Sequence, residues 1–318
     1  PPDTGPKPQV PEGPAPVLTL NAHQGAVNAL GFAPDGRQLV TGGAEGVVKV
    51  WKLPADAPAV RLDFPARSVA GVEWRTPERL FVGLGDGAIV QIDGTNPTAG
   101  KGRLYQAHAG PVTSVIEYGE GMLLSVGRDR LFRWTFFQPE QAGQVSGRQL
   151  PGEAVSLAFA GDRWSVGLTD GRVMVGEIGQ GQLPMRQTHR GPVRAVEFAA
   201  GQLLLASGGD DGVVRLWDTS APRYFYQHPE ATLQVPRELA GHDGPVTSLS
   251  ASPVSDLLAS GGADGTVRLW SLPEGRPVAV LRHGSPVRAV LFQPARSEAE
   301  PRRWLVSAAE DGTVKAWD

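Results

Sequence analysis

The sequence predicts an all-β protein built as a seven-bladed β-propeller of four-stranded antiparallel blades. Three observations predict it: a turn-and-strand motif that recurs seven times, a histidine upstream of most copies, and a spare strand near the N-terminus. The 318 residues include 41 Gly and 28 Pro, which is typical of many short strands joined by tight turns. The net charge of −3 and the lack of a long apolar run predict neither nucleic-acid binding nor membrane insertion. Because the chain has no cysteine, disulfides and thiolate metal sites are excluded.

The recurring motif is an acidic turn residue and a glycine, followed by a strand that ends in Trp. The clearest copies are TGGAEGVVKVW at 41–51, SGGDDGVVRLW at 207–217, SGGADGTVRLW at 260–270 and SAAEDGTVKAW at 307–317. The seven turn acids are Glu45, Asp86, Asp129, Asp170, Asp211, Asp264 and Asp311. Their separations are 41, 43, 41, 41, 53 and 47 residues, a period typical of propeller blades. The two longer intervals predict insertions at 219–236 and 294–303.

The second landmark is a histidine followed by a turn and a strand, and its fullest version is AGHDGPVTSLSASP at 240–253. Five of the six histidines occupy this place: His23, His108, His189, His242 and His283. Only His228 lies elsewhere. A rare residue at such regular intervals indicates a role repeated from blade to blade.

These motifs resemble the WD40-repeat family. The chain has the family's GH dipeptide at Gly241-His242 and WD dipeptides at Trp217-Asp218 and Trp317-Asp318. The resemblance covers about residues 17–318 and suggests a bacterial-type WD40 domain of a larger protein. It implies a non-catalytic platform for protein–protein interaction.

The resemblance also implies structural tetrads, in which Trp, Ser or Thr, His and an acid from different strands form one hydrogen-bond chain. The candidates are His23, Thr41, Glu45 and Trp51; His189, Ser207, Asp211 and Trp217; His242, Ser260, Asp264 and Trp270; and His283, Ser307, Asp311 and Trp317. A buried indole N–H needs an acceptor, and the hydroxyl, imidazole and carboxylate extend the chain. A Ser-His-Asp set also suggests a catalytic triad, but an enzyme needs one such set and this chain has at least four. We therefore predict no catalytic residues, no metal and no cofactor.

Blades 2 to 4 depart from the pattern. Blade 3 keeps His108, Ser125 and Asp129, but Thr135 takes the Trp position. Blades 2 and 4 lack the His, and we expect apolar packing with help from Trp74 and Trp164. A basic series at one position of the third strand is interpreted as packed stems with solvated heads: Lys49, Arg133, Arg215, Arg268 and Lys315.

The two ends of the chain predict how the ring closes. The last motif stops at the end of a third strand, and Val17 to Leu20 form a strand with no blade of its own. This strand is expected to complete the last blade and to cover its edge. The Pro-rich residues 1–16 are interpreted as a linker and residues 17–318 as the propeller. Since the chain begins at Pro1 without Met, a signal peptide or an upstream domain is expected to be missing.

Two surfaces are candidates for partner binding. In the family the face with the turns between second and third strands binds partners. Just before the turn acids this face includes Arg128, Asp210 and Glu310. Five residues beyond each landmark His it includes Asn28, Thr113, Arg194, Thr247 and Arg288. The arginines suggest an acidic or phosphorylated peptide; the alternative is a solvated loop surface on which Asp210 and Glu310 partly cancel the field. Tyr224, Phe225 and Tyr226 in the first insertion form either an interface patch or a plug on the neighbouring blade.

The predicted function is a non-catalytic scaffold, one domain of a larger protein, with a protein or peptide partner and a monomeric propeller. Two alternatives stay open: a module of a periplasmic redox or sensor protein, and an enzyme that uses the central channel. A cluster of buried carboxylates or histidines in the channel would favour the enzyme. A cytoplasmic location is expected, or a periplasmic one if an upstream signal peptide exists. Fold alone does not decide between these functions.

Overall fold

The computed structural model describes residues 10–54, 57–98, 102–118, 122–129, 131–136, 145–177, 186–199, 203–219, 236–294 and 304–318. Within these residues the chain forms strands β1 to β28, arranged in seven four-stranded antiparallel sheets. The prediction of an all-β propeller is therefore confirmed. The described part of the chain contains no helix long and apolar enough to cross a membrane.

Each sheet is one blade, and its strands are given from the channel outward. Blade 1 contains β2 (Val27–Phe32), β3 (Gln38–Gly43), β4 (Val47–Lys52) and β5 (Pro58–Asp63). Blade 2 contains β6 (Val69–Thr76), β7 (Arg79–Leu84), β8 (Ala88–Ile92) and β9 (Arg103–Gln106). Blade 3 contains β10 (Val112–Tyr118), β11 (Met122–Gly127), β12 (Leu131–Phe136) and β13 (Val145–Gln149). Blade 4 contains β14 (Ala154–Ala160), β15 (Arg163–Leu168), β16 (Arg172–Glu177) and β17 (Arg186–Gln187).

The remaining blades follow the same order. Blade 5 contains β18 (Val193–Ala199), β19 (Leu204–Gly209), β20 (Val213–Asp218) and β21 (Arg237–Ala240). Blade 6 contains β22 (Val246–Ala251), β23 (Leu257–Gly262), β24 (Thr266–Ser271) and β25 (Arg276–Arg282). Blade 7 contains β26 (Val287–Phe292), β27 (Leu305–Ala309), β28 (Thr313–Trp317) and, from the other end of the chain, β1 (Leu18–Asn21).

The predicted count of seven blades needs one correction, because only six of the described sheets are blades formed by four consecutive strands. In the described residues, six sheets consist of four consecutive strands, whereas the remaining sheet is a composite of both chain ends. In this composite, β1 pairs antiparallel with β28 from Leu18 opposite Ala316 to Asn21 opposite Thr313. The outer neighbour of β28 is thus β1, from the start of the propeller, and this sheet has its full four strands.

The innermost strands form a closed ring. Each of β2, β6, β10, β14, β18, β22 and β26 contacts the next in this order, and β26 contacts β2 again. The second strand of each blade is buried almost throughout, as in β3 and β23. Such short continuous buried runs are expected where a strand is covered on both faces. The hydrophobic core is therefore divided into clusters that lie between the facing surfaces of neighbouring blades.

Trp side chains pack between neighbouring blades. Trp217 of blade 5 packs in one cluster with Val173 and Val175 of blade 4. Blade 4 has Gly176 at its own Trp position, and a Cβ there would lie 2.2 Å from Cζ2 of Trp164. Trp164 therefore occupies this space from the neighbouring strand.

Part of the predicted linker lies on the outer edge of blade 6. The N–H of Val280 donates to the carbonyl of Pro11 at 3.0 Å, and the N–H of Gly13 donates to the carbonyl of Val280 at 2.8 Å. Glu12 forms an ion pair with Arg282 at 2.7 Å. The segment 11–13 thus lies beside β25 and pairs with its outer edge. The chain then continues to β1 on blade 7. Residues 1–9 lie outside the described part, and the boundary at residue 16 stays a prediction.

Candidate functional site

A buried chain of hydrogen bonds fixes blade 6. Trp270 Nε1 donates to Ser260 Oγ at 2.9 Å, and this hydroxyl lies 2.8 Å from His242 Nε2. His242 Nδ1 lies 3.0 Å from a carboxylate oxygen of Asp264. With Nδ1 assigned as the protonated nitrogen, every donor in the chain has an acceptor. The same order of bonds occurs in blade 1 through Trp51, Thr41, His23 and Glu45, and in blade 5 through Trp217, Ser207, His189 and Asp211.

Blade 7 contains an extended version of this chain. His283 Nδ1 lies 2.7 Å from Ser307 Oγ, whereas its Nε2 lies 2.9 Å from Thr313 Oγ1. Thr313 then donates to Asp311 at 2.7 Å, and Trp317 donates to Ser307 at 3.0 Å. The four predicted residues therefore belong to one chain of hydrogen bonds. However, Thr313, which the sequence did not predict as a member, stands between His283 and Asp311. The same Asp-Gly-Thr run stands at 264–266 in blade 6, where His242 contacts Asp264 directly, so the run alone does not reveal the relay.

Blade 3 keeps the chain without its Trp. His108 Nδ1 and Nε2 each lie 2.9 Å from their partners, Asp129 and Ser125. Thr135 is paired with Leu123, the register at which Trp stands in the complete blades. This blade therefore has the polar part of the chain without the indole at its end.

Burial decides what these chains can do chemically. Ser207, Ser260 and Ser307 are fully buried, so the hydroxyls do not face a substrate. Burial opposes ionisation of Asp211, but hydrogen bonds from His189 and Arg215 outweigh it and lower the pKa of this carboxyl to about 2. Burial and the charge of Lys315 lower the pKa of His283 to about 4. Asp211 is thus ionised and His283 is neutral at neutral pH. The hydrogen-bond chains satisfy buried polar groups.

The candidate functional site is the end of the channel where the innermost strands begin, which we call the mouth. Every innermost strand has a register shift after its first residue, which leaves the second residue outside the regular pairing. These seven bulge residues are Asn28, Ala70, Thr113, Val155, Arg194, Thr247 and Arg288. All seven line one cavity of about 450 Å³. Because bulges re-aim side chains and mark functional rims, the ring of bulge residues defines the lining of the mouth.

The turns between second and third strands supply the outer wall of the mouth. The N–H groups of Arg128, Asp210 and Glu310 donate to the carbonyls that precede the innermost strands of their own blades, at 3.0–3.2 Å. This bond fixes each turn beside the bulge residue. The predicted residues Arg128, Arg194, Arg288 and Glu310 line the cavity together.

Ion pairs within blades neutralise most of the charge at the mouth. Two of the three guanidinium nitrogens of Arg194, Nε and Nη2, donate to the carboxylate of Asp210, and the Nη2 bond is 2.9 Å long. Arg288 Nη2 lies 2.6 Å from Glu310. Arg128 is exposed, and among the described residues no carboxylate forms an ion pair with it. The three arginines are therefore not equivalent, and Arg128 is the cation best placed to bind an external acid.

The polar bulge residues bind neighbouring blades. Asn28 donates to the carbonyl of Val69 at 3.1 Å and Thr247 donates to that of Val287 at 2.6 Å. Thr113 donates to that of Ala154 at 3.1 Å. These side chains thus fasten each blade to the next.

Sequence reasoning missed two residues of the ring, Ala70 and Val155. It located the ring by counting from the landmark His, which blades 2 and 4 lack. Counting to the second residue of each innermost strand would have identified Ala70 and Val155. The structure also corrects part of the basic series, since two of its heads are bonded rather than solvated: Lys49 Nζ donates to Ala22 O at 2.5 Å and Arg215 Nη1 to Asp211 at 2.8 Å. Tyr224, Phe225 and Tyr226 lie outside the described residues.

Two carboxylates interact across the channel. Glu73 on β6 and Glu197 on β18 belong to blades 2 and 5, and burial raises the pKa of each to about 7. The charge of Glu73 further raises the pKa of Glu197. Glu197 Oε1 accepts the N–H of Ala251 in the next blade at 3.2 Å. Within the described residues no cluster of His, Cys, Asp or Glu has the geometry of a metal site.

The fold and the repeated buried chains define a class, the β-propeller whose blades are fixed by internal hydrogen-bond tetrads. The family model described as WD40, the WD domain or G-beta repeat, matches residues 14–52, 182–218, 233–271 and 275–318, half of the chain. The chain therefore belongs to the WD40 family, as predicted. The matched stretches are those of blades 1, 5, 6 and 7, which contain the complete tetrads.

Curated relatives include the Small ribosomal subunit protein RACK1y of Oryza sativa subsp. japonica, 33% identical over 41% of this chain and 34% of the relative. Periodic tryptophan protein 2 of Arabidopsis thaliana is 25% identical over 75% of this chain and 34% of the relative. Telomerase protein component 1 of Rattus norvegicus is 27% identical over 94% of this chain and 10% of the relative. The chain spans about a third or less of the length of these relatives.

Proposed function

We propose that this chain is a non-catalytic interaction scaffold that binds a peptide segment of a partner protein at the channel mouth. The observation that carries the proposal is the ring of seven bulge residues around one cavity of about 450 Å³. A rigid closed ring presents these residues in fixed positions, so little ordering is needed when a partner binds. The names of two relatives identify them as a ribosomal subunit protein and a telomerase component, which is consistent with a role in assemblies.

The partner segment is expected to be acidic. Arg128 stands beside a part of the ring that is small or apolar, at Ala70 and Val155. A carboxylate or phosphate on the partner would pair with Arg128 while neighbouring apolar side chains fill this part of the mouth. Arg194 and Arg288 already have carboxylate partners, so an acid bound there must displace Asp210 or Glu310.

The channel carboxylates give the enzyme alternative its strongest support, because buried carboxylates with raised pKa values are common in active sites. However, Glu197 accepts a backbone N–H from the next blade, and Glu73 does the same with the N–H of Glu117. Both side chains thus have a structural task between blades. We therefore favour the scaffold.

Selection of peptides from an unbiased displayed library tests the proposal. We expect the selected peptides to contain Asp, Glu or phosphorylated residues and to bind at least tenfold more weakly, about 1.4 kcal/mol, to Arg128→Glu. Arg276→Glu is the matched control, because Arg276 is also exposed but starts β25 far from the mouth. Peptides without acidic groups, or equal losses in both variants, would contradict the proposal.

A further inference from the structure

A second cavity opens at the other end of the channel, where the innermost strands finish. Its volume is about 660 Å³, and it lies against blades 4, 5 and 6. Glu197, Phe198 and Ala199 at the end of β18 form one wall. The loop 252–256 and Leu272 of blade 6 form the opposite wall. It shares no lining residue with the mouth.

The cavity is acidic. Glu197 lines it, and Asp256 stands exposed at its rim. Neither carboxylate forms an ion pair with any cation in the described residues. The one hydrogen bond found there for the carboxylate of Glu197 comes from Ala251 N–H to Oε1, so Oε2 is free to accept from a ligand.

The structural task of Glu197 does not require a charge. Ser250 occupies the equivalent position of blade 6, and its hydroxyl accepts the N–H of Phe292 in blade 7 at 3.1 Å. A neutral hydroxyl therefore satisfies this bond between blades. The bond between blades therefore uses only one oxygen of Glu197, and the second carboxylate oxygen is the acceptor that a cationic ligand would use.

The walls beside the carboxylate are apolar. Phe198 and Leu272 lie within the cavity, and Val254 is 48% exposed at its rim. An occupant with an aliphatic stem and a cationic head would cover this surface and reach Glu197. Lysine and arginine side chains combine these two properties.

We propose that this cavity binds a lysine or arginine side chain of a partner peptide, with the stem along Val254 and Leu272 and the cationic head on Glu197. The binding is independent of the mouth, which selects acidic groups at the other end of the channel. One partner chain with an acidic and a basic segment could use both ends, but neither site needs the other.

Titration of the full chain with three short capped peptides tests the proposal, with the amide signal of Ala251 as the local readout. The peptides are acetyl-Ala-Lys-Ala-amide, its Arg counterpart, and the counterpart with acetyl-lysine, which keeps the stem and removes the charge. We expect a saturable shift of the Ala251 signal with the Lys peptide, the Arg peptide or both, and none with acetyl-lysine. Glu197→Gln retains the acceptor for Ala251 and should weaken binding at least tenfold. Glu78→Gln removes an exposed charge at the β6–β7 turn of the same face and should leave it unchanged.

Three results would overturn the proposal: no Ala251 shift at millimolar peptide, equal binding of the acetyl-lysine peptide, or unchanged affinity in Glu197→Gln. Thermal unfolding of both variants establishes that they are folded. Arg128→Glu should leave this binding intact, so failure here and failure at the mouth are separate outcomes.

Discussion

The imidazole of His242 and the carboxylate of Asp264 lie 3.0 Å apart in the core of blade 6, and the other imidazole nitrogen contacts Ser260. Replacing the imidazole leaves the hydroxyl proton of Ser260 without its acceptor and the carboxylate of Asp264 without its imidazole donor. We therefore expect His242→Ala to lower the free energy of unfolding by about 1–3 kcal/mol. Thermal or denaturant unfolding measures this, and an unchanged transition would contradict the structural role of the tetrad.

Thr313 joins His283 to Asp311 in blade 7. Thr313→Val keeps the size and β-branching of the side chain but removes the hydroxyl that relays this contact. We expect a loss of about 1 kcal/mol in unfolding free energy. The matched control is Thr95→Val, whose hydroxyl bonds to Asp93 in an exposed turn. Equal stability of Thr313→Val and the wild type would show that the relay contributes nothing.

Glu197 predicts a pH dependence of stability. Its pKa is raised from 4.5 to about 7 in the folded state by burial, so the folded protein binds the proton more tightly than the unfolded chain. The associated stability is present below pH 4.5 and is lost as the pH rises through 7. Since one pKa unit corresponds to about 1.4 kcal/mol, wild type should lose at most about 3 kcal/mol relative to Glu197→Gln in this range, and less because the cavity admits solvent. Denaturant unfolding of the two proteins across this pH range measures the difference in their stability. A difference that stays constant with pH would contradict the expectation.

The strand β1 closes the ring by pairing with β28. Deleting residues through Leu20 exposes the edge of β28 and removes Leu20 from the core of blade 7. We expect a lower melting temperature or self-association through the free edge. Deleting residues only through Val10 is the control, since it leaves both β1 and the contacts of Pro11 to Gly13. A monomeric deletion variant with the wild-type melting temperature would refute the closure.

The sequence was sufficient for features that depend on the repeat. The Trp, His and turn-acid positions are encoded in a fixed register, and so is the strand β1 that has no blade of its own. Contacts between blades were not predictable, because they join residues about 40 positions apart: Thr113 to the carbonyl of Ala154 is one example. The sequence predicted that Asp210 cancels part of the positive field at the mouth, but not that it pairs with Arg194, since a spacing of 16 residues reveals proximity only once the turn is folded.

The docking of Pro11 to Gly13 shows another limit. A Pro-rich composition predicts an extended segment, which is what the structure contains, but not the edge of β25 as its location. That location depends on the path from blade 6 to blade 7 and on the Glu12–Arg282 pair. Composition describes the conformation of this segment, and the closed ring determines its place.

Site-directed photocrosslinking tests the scaffold function most directly. A benzophenone amino acid replaces either Ala70 or Val155 at the mouth, or Val278 on the outer edge of blade 6 as the exposed control, in the protein expressed in its own cells. We predict that the mouth positions capture a discrete partner protein, that Arg128→Glu abolishes this capture, and that Val278 does not capture the same protein. Capture of the partner from Val278 but not from Ala70 or Val155 would contradict binding at the mouth.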